Sequence, residues 1–167
     1  MTDKQLSWLA LGLIALVLIG TSLSSSMPYE AQSLQPVLRQ VLAGEPFAGL
    51  LRTIQFSYAG EKISIEALSY AGFVEFFIRK GVHFVLFGSL AVLIYLALRP
   101  YCQGRGLTVF LSLALTFGFA SFDELHQTLT TNRSGLVEDV LLDAAGALTF
   151  LLIYQVLEHI FRRKPIK

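Results

Sequence analysis

Four stretches of the chain are long and almost continuously apolar, and they predict its architecture. They are residues 6–23, 81–98, 106–122 and 140–157. Each is close to the ~20 residues that an α-helix needs to cross a hydrocarbon core of ~30 Å. Charged residues are nearly absent inside these stretches and return where each one ends. The pattern predicts an all-α integral membrane protein, a four-transmembrane-helix bundle in a single domain that covers residues 1–167.

The first stretch has a second interpretation, as a secretion signal. Lys4 precedes the apolar run, and Ser24, Ser25 and Ser26 follow it, which is the layout of a signal peptide. The apolar run is long for a signal peptide, however, and no Ala-x-Ala cleavage site follows it. We therefore expect an uncleaved transmembrane helix.

Residues 24–78, called the outer segment below, separate the first two predicted spans and are too long for a plain connection. Their first half predicts an amphipathic helix over residues 30–42, with Pro36 near its first turns and Gly44 to Pro46 ending it. The apolar positions of this helix recur at helical spacing: Leu34, Val37, Leu38, Val41 and Leu42. Such a helix would lie in the membrane interface or cap the spans.

The second half of the outer segment predicts a β-hairpin within residues 53–66. Apolar residues alternate with polar or small ones on both sides of the short turn at Ala59-Gly60-Glu61, and this period of two is typical of strands. Because a lone hairpin is only marginally stable in water, it should lean on the bundle or on the bilayer surface. We interpret it as a scaffold that closes the mouth of the bundle rather than as a ligand-binding loop.

Composition supports the membrane class and removes several others. Hydrophobic residues make up 54% of the chain and mean hydropathy is +0.61, far more apolar than a soluble domain of this length requires. The net charge of +1 gives no indication of nucleic-acid binding, and we expect no nucleic-acid partner. Cys102 is the single cysteine, so neither an intrachain disulfide nor a cysteine-based zinc site is expected.

The basic residues predict the orientation of the bundle. With four spans, the two chain ends and the turn at 99–105 lie on one side. That side carries seven of the 13 Lys and Arg residues, namely Lys4, Arg99, Arg105, Arg162, Arg163, Lys164 and Lys167. Basic residues near span ends favour the cytoplasmic side. Both termini are therefore expected in the cytoplasm, and the outer segment and the loop at 123–139 outside.

This orientation brings the polar residues of three span ends to the same outer level. They form the predicted polar pocket: Lys80, His83, Asp123, Glu124, Gln127, Arg133, Asp139 and Asp143. Asp139 and Asp143 are four residues apart and share a helix face. Gly146 lies on that face as well, where a small residue lets a neighbouring helix approach closely. Ionisable residues at such depth are costly and are therefore candidates for function.

Three interpretations of this pocket stay open at the level of sequence. The residues could only hold the helices together, with Lys80 pairing Asp123 or Asp143, and Arg133 pairing Glu124 or Asp139. They could bind an anionic or zwitterionic headgroup through Lys80 and Arg133. They could instead bind a divalent metal ion through Asp123, Glu124, Asp143 and His83, or His126 in its place. No His-Glu-x-x-His spacing supports the metal, and His126 is expected to face water.

At these residues the chain resembles the VanZ-like family of bacterial membrane proteins. The resemblance is carried by Arg79-Lys80-Gly81-Val82-His83-Phe84, Asp123-Glu124-Leu125-His126-Gln127, Arg133-Ser134-Gly135, and the run from Asp139 through Asp143 to Gly146. It is strong over residues 79–150 and weaker over the first span and the outer segment. One departure is visible, because an acidic residue often follows the His-Phe pair in the family, whereas Val85 and Leu86 follow it here.

The resemblance implies a multi-pass protein of the bacterial cytoplasmic membrane that contributes to resistance against the glycopeptide antibiotic teicoplanin. Its expected partners are membrane lipid and a lipid-linked envelope precursor or lipoglycopeptide bound at the outer pocket. The family does not settle a reaction. The alternative is a hydrolase or transferase that acts with a divalent metal on a phosphoester of an envelope lipid, with His83 as acid or base. A structural subunit of an envelope complex is the third hypothesis.

Overall fold

The computed structural model describes residues 2–130 and 135–162, and four long helices dominate this part of the chain. The elements are α1 (Asp3–Ser25), α2 (Tyr29–Gln32), α3 (Gln35–Val41), α4 (Ala48–Leu51), β1 (Phe56–Tyr58), β2 (Glu61–Ile63), α5 (Ile65–Leu98), α6 (Arg105–Thr128) and α7 (Val137–Arg162). By length and composition, α1, α5, α6 and α7 can each cross a membrane. The predicted all-α membrane bundle with one small hairpin is confirmed.

Helix α5 begins well before the predicted span at 81–98. Ser64 caps it by accepting a hydrogen bond from the Ala67 backbone N–H at 3.2 Å, and Ser69, with φ of 67°, breaks its first turns. Helix α5 thus extends the predicted second span back through residues 65–78, and the name outer segment is used below for residues 26–64, between α1 and α5. Residues 65–78 stay helical because Tyr70 and Phe73 are buried against the outer segment, a stabilisation that no local pattern shows.

The amphipathic helix predicted over residues 30–42 is two short helices, α2 and α3, so that prediction was wrong in its continuity. Ser33 has an extended backbone between them. The Leu34 backbone N–H donates to Glu75 Oε1 at 2.6 Å instead of to a helical carbonyl, and Pro36 brings no N–H to a continuous helix. Helix α4 was not predicted. Val37 and Val41 remain exposed, as expected for a side that meets the membrane interface.

The hairpin is confirmed over a shorter range than 53–66. Strands β1 and β2 pair antiparallel, with Tyr58 opposite Glu61. The two-residue turn has positive φ at both Ala59 (50°) and Gly60 (81°), the backbone that matches the twist of a tight hairpin. The Tyr58 ring packs edge-on against Phe76 of α5 at a centroid distance of 5.4 Å. The hairpin thus leans on the bundle and presents Tyr58 to its interior.

Helices α5 and α7 run parallel and touch backbone to backbone. A methyl group at Gly146 would collide with the Phe84 carbonyl oxygen, and one at Gly88 would lie 2.6 Å from the Phe150 ring. The close helix approach predicted at Gly146 is therefore confirmed. Phe84 follows His83 directly, and Gly146 lies three residues after Asp143. The contact between these glycines and the facing helix consequently brings His83 and Asp143 to one level.

The end of the bundle that holds Cys102 offers a test of the predicted orientation. Ser7 Oγ of α1 donates to the Ala97 carbonyl of α5 at 2.8 Å, so the N-terminal turns lie beside the turn that carries Cys102. If this end is cytoplasmic, a membrane-impermeant thiol reagent should leave Cys102 unlabelled in intact cells and label it after permeabilisation.

A matched variant gives the positive control for this labelling. Glu61 is exposed at the tip of the hairpin, at the opposite end of the bundle. Glu61→Cys in a Cys102→Ser background should therefore be labelled in intact cells. Labelling of Cys102 without permeabilisation, with Glu61→Cys protected, would reverse the orientation.

Candidate functional site

The polar residues of the three helix ends come together at one end of the bundle, called the polar end below. Lys80 and His83 lie on α5, Asp123, Glu124 and Gln127 on the last turns of α6, and Asp139 and Asp143 on the first turns of α7. Every acidic residue in this set is at most 9% exposed. The predicted pocket residue Arg133 lies outside the described residues.

Two contacts connect α5 with α7 on successive turns. Lys80 Nζ lies 2.5 Å from Asp139 Oδ1, and His83 Nδ1 lies 3.5 Å from Asp143 Oδ2. The prediction that Lys80 pairs Asp123 or Asp143 was wrong. Because α5 and α7 are parallel and in register, the turn that carries Lys80 faces the turn of Asp139, and Asp143 is one turn too deep.

Helix α6 adds its carboxylates to the same place. His83, Asp123 and Glu124 each offer a ligand atom, and these three atoms all lie within 4.8 Å of one another. Gln127 donates to Asp123 Oδ2 at 3.0 Å and to Glu124 Oε1 at 3.3 Å. His126 is not part of this group, since its Nε2 lies 3.2 Å from Ser26 Oγ on another face of α6.

Two further hydrogen bonds orient the α6 carboxylates from neighbouring segments. Ser25 Oγ, at the end of α1, donates to Asp123 Oδ1 at 2.6 Å. The Leu136 backbone N–H donates to Glu124 Oε2 at 3.0 Å. Gly135 lets the chain approach so closely that a methyl group there would collide with the Glu124 carbonyl oxygen. Sequence reasoning missed Ser25, whose signal was a small polar residue at the end of a span.

Asp143 is the deepest member of the set and is fully buried. Its Oδ2 faces the His83 ring, whereas its Oδ1 has no hydrogen-bond partner among the described residues. A buried carboxylate needs hydrogen bonds or opposite charge to offset the loss of hydration. His83 is the group that the structure provides for this purpose.

Asp139 also receives a contact from the outer segment. The Tyr58 hydroxyl donates to Asp139 Oδ1 at 2.5 Å, and Lys80 Nζ lies 4.8 Å from the centre of the Tyr58 ring. Burial raises the pKa of the Tyr58 phenol, and the hydrogen bond to the Asp139 carboxylate raises it further. Tyr58 therefore stays a hydrogen-bond donor at neutral pH. Sequence reasoning treated the hairpin as scaffold and missed this contact.

A second buried carboxylate, Glu75, holds the outer segment to α5. It is 1% exposed and accepts hydrogen bonds from the Leu34 backbone N–H at 2.6 Å, the Tyr29 hydroxyl at 2.8 Å and Gln35 Nε2 at 3.0 Å. Burial raises the pKa of the Tyr29 phenol, and the bond to Glu75 raises it further. Sequence reasoning missed Glu75, although a carboxylate among Phe73, Val74, Phe76 and Phe77 was a clear signal.

Cavities open beside these residues in the described part of the chain, and two of them are lined by Arg79. The smaller, ≈ 260 Å³, has polar groups from His83 and Asp123 and apolar walls from α5, with Ile78, Val82 and Leu86. The larger, ≈ 470 Å³, lies under the hairpin and is lined by Tyr58, Glu75, Lys80 and Asp139, among others. Arg79 and Gln127 line both cavities. The polar end therefore combines charged groups with apolar walls.

Among the cations that the structure describes at the polar end, Arg79 is the one with a buried hydrogen-bond donor that has no acceptor. Its guanidinium carbon lies 4.7 Å above the centre of the Tyr29 ring. Its Nη1 is buried and has no hydrogen-bond partner among the described residues. Lys80, in contrast, is paired with Asp139. Arg79 lies in a segment that carries the resemblance to the VanZ-like family, but the sequence analysis did not place it in the predicted pocket.

The arrangement supports more than one chemistry. The Lys80–Asp139 and His83–Asp143 contacts can hold two helices together without further function. An imidazole and two carboxylates around one point match the ligands of zinc or manganese. An arginine with an unpaired N–H group beside two cavities matches an anion.

Comparison with known proteins gives one match. A family model described as VanZ/LLP1 matches residues 9–158. The matched range includes nearly all of the four long helices and every residue of the polar end discussed above. Neither the comparison with curated proteins nor the comparison with solved structures found a match.

Proposed function

This chain belongs to the VanZ/LLP1 family, and we propose that it is a cell-envelope membrane protein that binds the anionic headgroup of an acylated molecule at its polar end. The ligand would be an envelope lipid, a lipid-linked envelope precursor or a lipidated glycopeptide such as teicoplanin. With the orientation expected from the basic residues, the ligand enters from the outer leaflet. Binding of this kind would contribute to teicoplanin resistance.

The observation that carries the proposal is the Arg79 guanidinium. A buried N–H group without a partner costs about 1–3 kcal/mol, and Nη1 of Arg79 is such a group among the described residues. Guanidinium groups bind phosphate and carboxylate through parallel hydrogen bonds. Stacking on Tyr29 fixes the plane of the guanidinium beside both cavities. An anionic headgroup would supply the missing acceptor.

The apolar walls of the smaller cavity support an acylated ligand rather than a free anion. Ile78, Val82 and Leu86 continue from the level of Arg79 along α5 into the span. Val82 is 56% exposed, as a side chain that meets an acyl chain requires. A ligand with a charged head and an acyl chain could place the chain along this side of α5 while its head meets Arg79.

A binding experiment on Arg79 tests the proposal. We expect Arg79→Gln to weaken binding of a polyprenyl phosphate or of teicoplanin to the purified protein in lipid nanodiscs. A hydrogen bond to a charged group contributes about 1.5–3 kcal/mol, so the dissociation constant should rise roughly 10- to 100-fold. Microscale thermophoresis with the deacylated core of teicoplanin as a second ligand separates the contribution of the chain.

Arg52→Gln is the matched control, because Arg52 is an exposed arginine of the outer segment whose ion pair with Glu45 is long, at 3.8 Å. It should leave the dissociation constant within about twofold. An equal loss in both variants would reduce the result to a general charge effect and contradict a site at Arg79. Equal affinity for acylated and deacylated ligands would contradict the role of the apolar wall.

A second candidate function is hydrolysis or group transfer at a phosphoester of an envelope lipid. The close approach of His83, Asp123 and Glu124 favours it, because metal-assisted enzymes hold their ion with such ligands. This function predicts turnover of a phosphorylated lipid that stops in the presence of a chelator, whereas binding through Arg79 predicts no turnover.

A further inference from the structure

We infer that His83, Asp123 and Glu124 are the ligands of a single divalent transition-metal ion, such as zinc or manganese, and that Asp143 positions His83 without touching the ion. This inference goes beyond the binding proposal and holds whether or not the protein is an enzyme. It also differs from the ligand set expected from sequence, in which Asp143 was itself a ligand.

The ligand atoms of His83, Asp123 and Glu124 lie nearly close enough to share one ion. Ligand atoms that bind zinc tetrahedrally at about 2.1 Å lie about 3.4 Å apart. The three atoms of His83, Asp123 and Glu124 lie within 4.8 Å of one another, so they need to approach by at most about 1.4 Å, which side-chain rotation can supply. Asp123 and Glu124 are 7% and 5% exposed and form no ion pair with another described residue. A divalent ion would offset the charge of both carboxylates.

Asp143 points to the same metal site independently of the distances between the ligand atoms. It is fully buried and holds His83 Nδ1 through Oδ2, while its Oδ1 has no hydrogen-bond partner among the described residues. A carboxylate on the second nitrogen of a metal-bound histidine fixes the ring and raises its basicity. With Asp143 on Nδ1, Nε2 is the nitrogen of His83 that remains available to an ion. Within residues 2–130 and 135–162, Asp143 has no other polar contact that would explain its burial.

The hydrogen bonds of the carboxylates fit the same assignment. Ser25 and Gln127 donate to Asp123, and the Leu136 backbone N–H and Gln127 donate to Glu124. Such bonds orient metal-ligating carboxylates and leave lone pairs free for the ion. His83 and Asp123 also line the smaller cavity. Three protein ligands beside a cavity leave a coordination position open to an incoming molecule.

Metal binding by the full-length protein tests the inference. The protein in nanodiscs is stripped with a chelator and titrated with Zn²⁺ by calorimetry, and Co²⁺ serves as a spectroscopic probe through its visible absorption. We expect one ion per chain. Asp123→Asn and Glu124→Gln keep the side-chain shape and should weaken binding at least 100-fold, which is more than the loss expected from a residue that does not touch the ion.

Asp143→Asn distinguishes positioning from ligation. A positioning residue should weaken binding roughly 10- to 100-fold, keep one ion per chain and leave the Co²⁺ spectrum nearly unchanged. Loss of the spectrum together with the same loss of affinity as in Asp123→Asn would make Asp143 a ligand and overturn its assigned role. Glu138→Gln, an exposed carboxylate on the same helix, is the control and should bind as the wild type does.

Failure of this inference differs from failure of the proposed function. Wild-type protein that binds no Zn²⁺ or Co²⁺, or variants at Asp123 and Glu124 that bind as the wild type does, would overturn the metal site. Neither result changes the expectation for Arg79→Gln and acylated ligands. Elution as the same single species shows that each variant remains folded, so weaker binding is not a loss of structure.

Discussion

Replacing Gly146 by alanine is expected to lower the free energy of unfolding by about 1–3 kcal/mol, the cost of overpacking a close-packed core. The added methyl group would collide with the Phe84 carbonyl oxygen. This atom belongs to the backbone of α5, so no side chain can turn away to make room. Helices α5 and α7 must move apart, which also increases the distance between His83 and Asp143. Unfolding in mixed micelles with increasing denaturing detergent measures the loss.

Gly118→Ala is the matched control for this prediction. Gly118 lies within α6, where an added methyl group would meet nothing within 4 Å. Alanine has a higher helix propensity than glycine by about 1 kcal/mol, so this variant should be as stable as the wild type or slightly more stable. If Gly146→Ala is as stable as Gly118→Ala, the backbone contact between α5 and α7 does not stabilise the bundle.

Replacing Glu75 by leucine is expected to release the outer segment from α5. The change leaves the Leu34 backbone N–H, the Tyr29 hydroxyl and the Gln35 amide without their acceptor. Each buried group that loses its partner costs about 1–3 kcal/mol, so we expect a local loss of about 3 kcal/mol. Trypsin should cleave after Arg39 and Arg52 roughly 100-fold faster, since cleavage follows the population of the open segment.

Glu66→Leu is the control for Glu75→Leu, because Glu66 is an exposed carboxylate near the start of the same helix. Water screens its interaction with the helix N-terminus, so cleavage should change by only a few-fold. Glu75→Gln keeps an acceptor oxygen and should fall between the two. Equal cleavage rates for the Glu75→Leu protein and the wild type would show that Glu75 does not hold the outer segment.

The bundle was predictable from sequence because the bilayer imposes its dimensions on local composition. A span needs about 20 apolar residues, and its ends must be polar or small, so each of α1, α6 and α7 could be found without any tertiary contact. The hairpin was predictable for a similar local reason, since Gly60 marks a turn that strands with a period of two can use. Gly146 indicated the close approach of a neighbouring helix, because a residue without a side chain leaves room for that helix.

The gathering of polar residues at one end was also predictable, since it follows from counting spans. Once four helices are placed, the starts of the second and fourth spans and the end of the third must share one side of the membrane. His83, Asp123 and Asp143 therefore had to lie at a similar level. The resemblance to the VanZ-like family, which rests on the same residues, was confirmed by the family match over residues 9–158.

Tertiary structure alone decided how these residues pair. Lys80 faces Asp139 because α5 and α7 are in register, and the register depends on the contact of Gly88 and Gly146 with the facing helix. The same contact brings Asp143 Oδ2 next to His83 Nδ1. Asp143 therefore stays outside the close group formed by His83, Asp123 and Glu124. The spacing of residues along one helix carries no information about how the neighbouring helix is rotated. These pairs could therefore not be predicted from the sequence.

Contacts between segments distant in sequence decided the rest. Glu75 ends the continuity of the helix over 30–42 from more than 40 residues away, by taking the Leu34 N–H. Arg79 becomes an anion-binding candidate only because Tyr29 supports its guanidinium and Nη1 finds no acceptor among the described residues. Local pattern determines which residues lie at the end of a span. The hydrogen-bond partners of these residues lie on other segments of the chain, and only the fold brings those partners within reach.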